Sequence, residues 1–119
     1  MTFGEWELLA KQGIAEAEYN LGLIFSRGKE VPRDDKKAVK WYRLAAEQGL
    51  AQAQHNLGVM CGRGRGFEQD YVEAHKWFNI AGVNGNEIGR RNADIVEKKM
   101  TPGQIAVAVG LTRKWLEKL

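Results

Sequence analysis

Cysteine and proline are scarce in this chain, and long apolar runs are absent. Cys61 is the only cysteine, so no disulfide can form within the chain and stability must come from packing. No stretch of about 18 apolar residues could form a membrane span. The first 15 residues carry Glu5, Glu7 and Lys11 rather than a basic start and an apolar stretch, which argues against a secretory signal. We expect a soluble chain without membrane insertion, cytoplasmic as given, or periplasmic if an upstream signal has been removed.

A strong excess of one charge is also lacking. The 119 residues include 18 basic and 15 acidic side chains, for a net charge of +3. Because the two signs are mixed along the chain, this excess is too weak to indicate a nucleic-acid partner. The length fits one domain that could bury about two thirds of its unfolded surface, with no room for a separate catalytic domain.

Glycine, in contrast, is abundant and regularly spaced. There are 14 glycines, nearly twice the usual share of about 7%. Gly13, Gly49 and Gly85 lie 36 residues apart, and aligning residues 13–48 with 49–84 gives 13 identities. Chance would give about two or three identities, so the chain contains an internal repeat, and a repeat of this length indicates an α-solenoid.

Each 36-residue unit predicts two helices, A and B. In the first unit, Ala17 and Leu21 lie on one apolar face of helix A, and Gly28 ends that helix. Asp34 is a plausible N-cap for helix B, which carries Trp41. The second unit repeats this pattern with Ala53, Leu57, Gly64, Asp70 and Trp77.

The repeat divides the single domain into four parts. Residues 1–12 match the second half of a helix B and form an N-terminal capping half-repeat, followed by repeats at 13–48 and 49–84. Either the natural protein begins with a lone capping helix or a longer array has been cut. Residues 85–119 are a degenerate C-terminal capping repeat, with a last helix predicted from 102 to about 118. The predicted fold is all-α, a right-handed α-α superhelix of about seven antiparallel helices.

These motifs resemble the Sel-one-like repeat family, a relative of the tetratricopeptide repeat. The resemblance covers roughly residues 5 to 99 and holds at fixed spacing in two copies. It implies an adaptor that binds other proteins, with no enzymatic activity and no cofactor. Departures are Phe25 and Cys61 in place of the usual tyrosine and Gly82 in place of an alanine. The residues that carry the resemblance are Ala51-Gln52-Ala53-Gln54 with Leu57-Gly58, and Asp34, Ala38, Trp41, Ala45, Ala46 and Gly49.

The A helices of tetratricopeptide-type arrays line the inner surface, so their side chains that point away from the core are the candidate contacts. They mix an aromatic ring, an imidazole, amides, apolar groups and cations, which suits an extended or helical peptide with some negative charge. The predicted partner-binding residues are Glu16, Tyr19, Asn20, Leu23, Gln52, His55, Asn56, Val59, Arg91, Asn92 and Ile95, accompanied by Arg27, Arg63 and Lys99.

Structural roles compete with recognition at several of these positions. The recurring amides could bond a helix end, and Arg27 and Arg63 lie where a helix dipole favours a cation. A second hypothesis assigns the chain to assembly, through self-association of the terminal helices. Its candidate contacts are Trp6, Leu8, Trp115 and Leu119.

Other sites can be set aside. The segment Gly62-Arg63-Gly64-Arg65-Gly66 resembles a phosphate loop or an RNA-binding tract, but it joins two helices and follows no strand. His55 and His75 lack ligand partners at metal-binding spacing. Cys61 has no candidate base nearby, and relatives linked to β-lactam binding or hydrolysis carry paired cysteines that this chain lacks.

Overall fold

The computed structural model describes residues 1–119 and contains seven α-helices and no strand. The predicted all-α class and helix number are confirmed. None of the helices combines the length and hydropathy needed to cross a bilayer. The helices are α1 (Phe3–Lys11), α2 (Ala15–Arg27), α3 (Asp35–Glu47), α4 (Ala51–Arg63), α5 (Tyr71–Val83), α6 (Glu87–Glu97) and α7 (Pro102–Leu116).

Local sequence signals determine where the helices of each repeat begin and end. Gly28 and Gly64 follow α2 and α4, and both adopt a left-handed conformation with φ of 68°. Residues with a Cβ adopt this conformation only at a cost, which is why glycine ends these helices. The side chains of Asp34 and Asp70 accept backbone hydrogen bonds that begin α3 and α5. The glycines that end α2 and α4 and the aspartates that begin α3 and α5 are those predicted from the sequence.

The helices form a single elongated stack. The A helices are α2, α4 and α6, and each packs against the B-type helices next to it in the chain, α1, α3 and α5. Most contacts are therefore made between helices that are adjacent in the stack. The molecule measures 45 × 29 × 20 Å. A main core cluster extends from α2 to α6, and a smaller one joins α1 to α2.

The core pairs small residues on one helix with rings on the next. Gly22 on α2 faces Tyr42 on α3, and Gly58 on α4 faces Phe78 on α5. Each ring fills the space that a side chain on the glycine would occupy. The A and B helices of a repeat can therefore approach closely.

The last helix does not continue this arrangement. It packs mainly on α5, where the rings of Trp77 and Trp115 lie 5.9 Å apart. The position on α6 that corresponds to Gly22 and Gly58 is Asp94, which is exposed. No ring covers Asp94, and α7 packs on α5 instead of covering α6 as a regular helix B would.

Equivalent polar residues link two of the three A helices, α4 and α6, to the preceding B helix. In α4, Gln54 Nε2 donates to the Ala46 carbonyl over 3.0 Å. The equivalent residue in α6, Arg90, donates to the Gly82 carbonyl over 3.2 Å. Glu18 has this position in α2, and its ionised carboxylate has no proton to donate to the corresponding Ala10 carbonyl.

Glu18→Gln is therefore expected to raise the free energy of unfolding at pH 7 by about 1 kcal/mol. Glu18 is 4% exposed and accepts one hydrogen bond, of 2.7 Å, from Gln48. Burial raises its pKa above the ordinary 4.5, so the ionised carboxylate destabilises the folded chain at neutral pH. This cost declines as pH falls through the raised folded-state pKa and vanishes below the ordinary 4.5, where Glu18 is protonated in both the folded and the unfolded chain. Urea unfolding of both chains at pH 7 and pH 4 measures the difference.

The matched control is Glu16→Gln, because Glu16 lies on the same helix but is exposed. It should leave stability nearly unchanged at both pH values. A Glu18→Gln chain that is no more stable than the parent at pH 7 would contradict the interpretation, as would an equal gain at pH 4.

Candidate functional site

The 36-residue spacing places equivalent side chains of α2, α4 and α6 in rows across the stack. One row is apolar and consists of Leu23, Val59 and Ile95. A second row, four residues further along each unit, consists of Arg27, Arg63 and Lys99. Residues four apart on a helix are neighbours, so the cation row runs beside the apolar row. Asn20, Asn56 and Asn92 form a third row on the other side of the apolar one.

Three cavities follow these rows. The first, of about 210 Å³, lies between α1 and α2, where Trp6 and Leu23 line it. The second, of about 170 Å³, extends from Leu23 to Val59 between α2 and α4. The third, of about 270 Å³, extends from Val59 to Ile95 between α4 and α6. Neighbouring cavities share a lining residue, Leu23 or Val59, so the three lie in sequence along the A helices. We call this row of cavities the inner groove.

Six of the eleven predicted contact residues line the inner groove: Asn20, Leu23, Asn56, Val59, Asn92 and Ile95. The cations Arg27, Arg63 and Lys99 line it as well. The other five predicted residues line none of the three cavities; they are Glu16, Tyr19, Gln52, His55 and Arg91.

Tyr19 and His55 pack against the rings of the adjacent B helices. The centroid distance is 6.0 Å from Tyr19 to Tyr42 and 5.7 Å from His55 to Phe78. Arg91, which has the same position in α6, is exposed and forms no ion pair within 4.0 Å. Two members of this row therefore contribute to packing, and only Arg91 is fully available to a partner.

The amide row has internal hydrogen bonds. Asn20 Nδ2 donates to the Glu16 carbonyl over 2.8 Å. Asn92 Nδ2 lies 3.0 Å from His55 Nε2, and His55 Nδ1 lies 3.1 Å from Asn56 Oδ1. With the amide of Asn92 donating to Nε2, the neutral imidazole carries its proton on Nδ1 and donates it to Asn56. This chain of bonds connects α4 to α6, so the amides help to hold the groove's shape.

Arg65 lines the second cavity and was not among the predicted residues. It reaches back from the second repeat to α3, where its Nη2 lies 2.9 Å from Asp35 Oδ1 and its Nε 3.3 Å from Oδ2. Hydrogen bonds from Arg33 and then Arg65 lower the pKa of Asp35 to about 2. The charge of Arg65 is thus neutralised, in contrast to the cation row. Its counterpart in the first repeat is Lys29, so the repeat pattern contained no signal for this contact.

The remaining reactive side chains are buried in the core. Cys61 is fully buried, and burial raises the pKa of its thiol to about 12, which keeps it protonated and unreactive. His75 is 1% exposed, and its Nε2 lies 2.9 Å from Glu97 Oε1. Its Nδ1 lies 3.1 Å from Asn79 Nδ2. These residues connect helices within the core and lie outside the inner groove.

Comparisons with known proteins agree with this architecture. The Sel1 repeat profile matches residues 15–50 and 51–86. The crystal structure of c5321, a protective antigen present in uropathogenic Escherichia coli strains that displays an SLR fold, superposes with a TM-score of 0.95 at 40% identity. That match covers 98% of this chain but only 25% of c5321. A Sel1 repeat protein from Oxalobacter formigenes gives a TM-score of 0.75 at 33% identity, over 78% of this chain and 38% of that one. No curated protein matches the chain.

Proposed function

The chain belongs to the Sel1 repeat family, whose fold generally mediates protein–protein interaction, and we propose that it is a non-enzymatic module that binds a peptide or protein segment in its inner groove. The observation that carries this proposal is the succession of three cavities along the A helices, in which neighbouring cavities share Leu23 or Val59. A binding surface that crosses all three repeats suits an elongated partner better than a compact one.

Two further properties support the groove as a binding surface. Its walls are helices anchored in the core, so little conformational entropy is lost when a partner binds. Ile95 lies in the third cavity and is 55% exposed, and exposed apolar side chains within a concave surface are typical of interaction sites.

Ile95→Asp is expected to weaken the binding of groove-directed peptides by about tenfold or more, because it places a charge in an apolar contact. The peptides are to be selected from a random library displayed on phage, with the unaltered chain as bait. The control is Val107→Asp on α7, because Val107 is 56% exposed and lies away from the groove. Isothermal titration of the selected peptides against the three chains measures the difference.

Peptides that bind the Ile95→Asp chain as tightly as the unaltered chain would contradict groove binding. If the peptides bound neither the Ile95→Asp chain nor the Val107→Asp chain, the contact would lie elsewhere on the C-terminal half of the molecule. Circular dichroism first establishes that the three chains have equal helicity.

Assembly through the ends of the stack is a second candidate function, because apolar residues are exposed there. Leu8 on α1 is 60% exposed and Leu119 is 81% exposed. The tryptophans at the ends are less available, since Trp115 packs on Trp77 and Trp6 is half-buried against α2. Sedimentation velocity over a hundredfold range of protein concentration tests this function. A monomer throughout would exclude it.

A further inference from the structure

The rows of the inner groove indicate the chemistry of the segment that it binds. We propose that this segment is extended and carries an acidic residue and an apolar residue at every third position. The proposal rests on the proposed function of the groove, and it adds the charge, the conformation and the spacing of the partner.

The cation row has no ion-pair partner within the chain. Arg27, Arg63 and Lys99 form no ion pair within 4.0 Å, although Arg33, Arg65 and Lys76 all do. Arg27 and Arg63 end α2 and α4, where the helix dipole favours a cation, and Lys99 Nζ lies 5.8 Å from the centroid of the Tyr71 ring. Neither contact neutralises the positive charge.

The acidic side chains near the groove do not neutralise this row. Glu30 lines the first cavity but forms no ion pair within 4.0 Å, and Glu16 and Asp94 are exposed on their helices. Three positive charges therefore lie along one edge of the groove with no carboxylate bound to them. Such an edge attracts a segment of opposite charge.

The apolar row supplies the second part of the recognition. Each of Leu23, Val59 and Ile95 lines at least one cavity. Volumes of about 170, 210 and 270 Å³ lie below the 300–1,000 Å³ that is typical of small-molecule sites. Because one such cavity occurs at each step along the stack, the cavities suit successive side chains of a single segment rather than one compact ligand.

The repeat spacing is close to the three-residue advance of an extended chain. The A helices lie side by side with limited mutual contact, so the step from one to the next is about one helix diameter, roughly 10–12 Å. A polyproline II segment rises 3.1 Å per residue and returns to the same face every third residue, which is an advance of about 9 Å. Every third side chain of such a segment would therefore meet the next repeat. A glutamate row and a leucine row on one segment could then face the cation row and the apolar row together.

Unused acceptors in the amide row also favour an extended partner. Asn20 and Asn92 use Nδ2 within the chain, and the Oδ1 of each has no protein partner. The only buried side-chain polar atom without a partner is Nε1 of Trp77, so both amide oxygens reach solvent. An extended segment has free backbone N–H groups that can donate to these oxygens, whereas the N–H groups of a helix are already bonded.

The test uses a fluorescein-labelled peptide of four Glu-Leu-Pro triplets in a fluorescence anisotropy titration at about 0.15 M salt. We expect the Arg27→Gln/Arg63→Gln/Lys99→Gln chain to bind it about tenfold more weakly than the unaltered chain, because each exposed ion pair contributes a few-fold. The control chain, Lys36→Gln/Arg113→Gln/Lys114→Gln, loses the same charge from exposed positions outside the groove. It should bind within about twofold of the unaltered chain, since its cations do not face the ligand.

Three comparison ligands complete the design. A peptide of four Gln-Leu-Pro triplets should bind all three chains with equal, weaker affinity. A peptide with glutamate at every seventh position has the spacing of a helical ligand and should bind more weakly than the triplet peptide. Single-stranded DNA should bind no chain with comparable affinity.

Several results would overturn the proposal. Equal weakening in the groove variant and the control variant would show a non-specific charge effect. Equal binding of the glutamate and glutamine peptides would show that the groove does not require an acidic residue. Tighter binding of the helical peptide would show that the partner is not extended, and tighter binding of DNA would show that it is not a protein segment. If neither triplet peptide bound at about 1 mM, the proposed chemistry would be wrong. The library selection and Ile95→Asp would still decide whether the groove binds peptides at all.

Discussion

Replacing Gly58 with alanine is expected to lower the free energy of unfolding by about 2 kcal/mol, although alanine is the better helix former. A Cβ on Gly58 would lie 2.6 Å from Cδ1 of Phe78, and a Cβ on Gly22 would overlap the ring of Tyr42. Both rings are buried, so neither can move away freely. Overpacking costs about 1–3 kcal/mol or more and exceeds the helix-propensity gain of about 1 kcal/mol. Guanidinium unfolding followed by circular dichroism measures the change.

The same substitution at Gly110 should have the opposite sign. Gly110 lies inside α7, and no atom is within 4 Å of the position of its Cβ. Gly110→Ala should therefore stabilise the chain by about 1 kcal/mol through helix propensity alone. If Gly58→Ala raised stability as Gly110→Ala does, the close approach of α4 and α5 would be wrong. A Gly58→Ala/Phe78→Leu chain should recover part of the loss, because the smaller side chain leaves room for the methyl group.

Gly66→Ala should destabilise the chain by about 3 kcal/mol, which is the largest single effect that we expect. The left-handed backbone of Gly66, with φ of 87°, costs an alanine about 1–2 kcal/mol. In addition, its Cβ would lie 2.6 Å from the Asp35 carbonyl oxygen and 2.8 Å from Cγ2 of Val39. Both atoms belong to α3, so the loop of the second repeat would be forced away from the first. Thermal unfolding, with Tm as the readout, measures this loss.

Gly85→Ala separates the two contributions. Gly85 is also left-handed, with φ of 97°, but its Cβ would meet nothing within 4 Å. It should therefore show the conformational cost alone, about 1–2 kcal/mol. Equal losses at Gly66 and Gly85 would mean that the loop does not press on α3 as described.

The helices could be predicted from the sequence because their signals are local. The apolar spacing that places Leu21 and Leu57 on a buried face, and the aspartates that begin α3 and α5, act over a few residues. The path of α7 could not be predicted with the same certainty. Its helix is local, but its docking on α5 depends on which surface the preceding helices leave open. The one available signal was Asp94, which replaces a glycine that a neighbouring ring requires in the other two repeats.

The rows of side chains on the A helices could be predicted from the sequence, but which members line cavities and which pack internally could not. The 36-residue spacing places Leu23, Val59 and Ile95 in one row whatever the details of packing, and these residues do line the cavities. The packing of His55 on Phe78 depends instead on how far the repeats turn relative to each other, which no short pattern encodes. The same holds for the pairing of Arg65 with Asp35, which lie 30 residues apart.

The single thiol provides a built-in reporter of how the stack opens. Cys61 is fully buried in α4 within the main core cluster, and its raised pKa leaves almost no thiolate while the core is closed. A thiol-specific dye can therefore label the native chain only during openings that expose the middle of the array. Fraying of α1 or α7 leaves this thiol covered, because α4 packs on α3, α5 and α6 rather than on either terminal helix. The labelling rate would thus distinguish unfolding of the central repeats from motion of the terminal helices without any introduced probe. A partner bound along the A helices would lower this labelling rate.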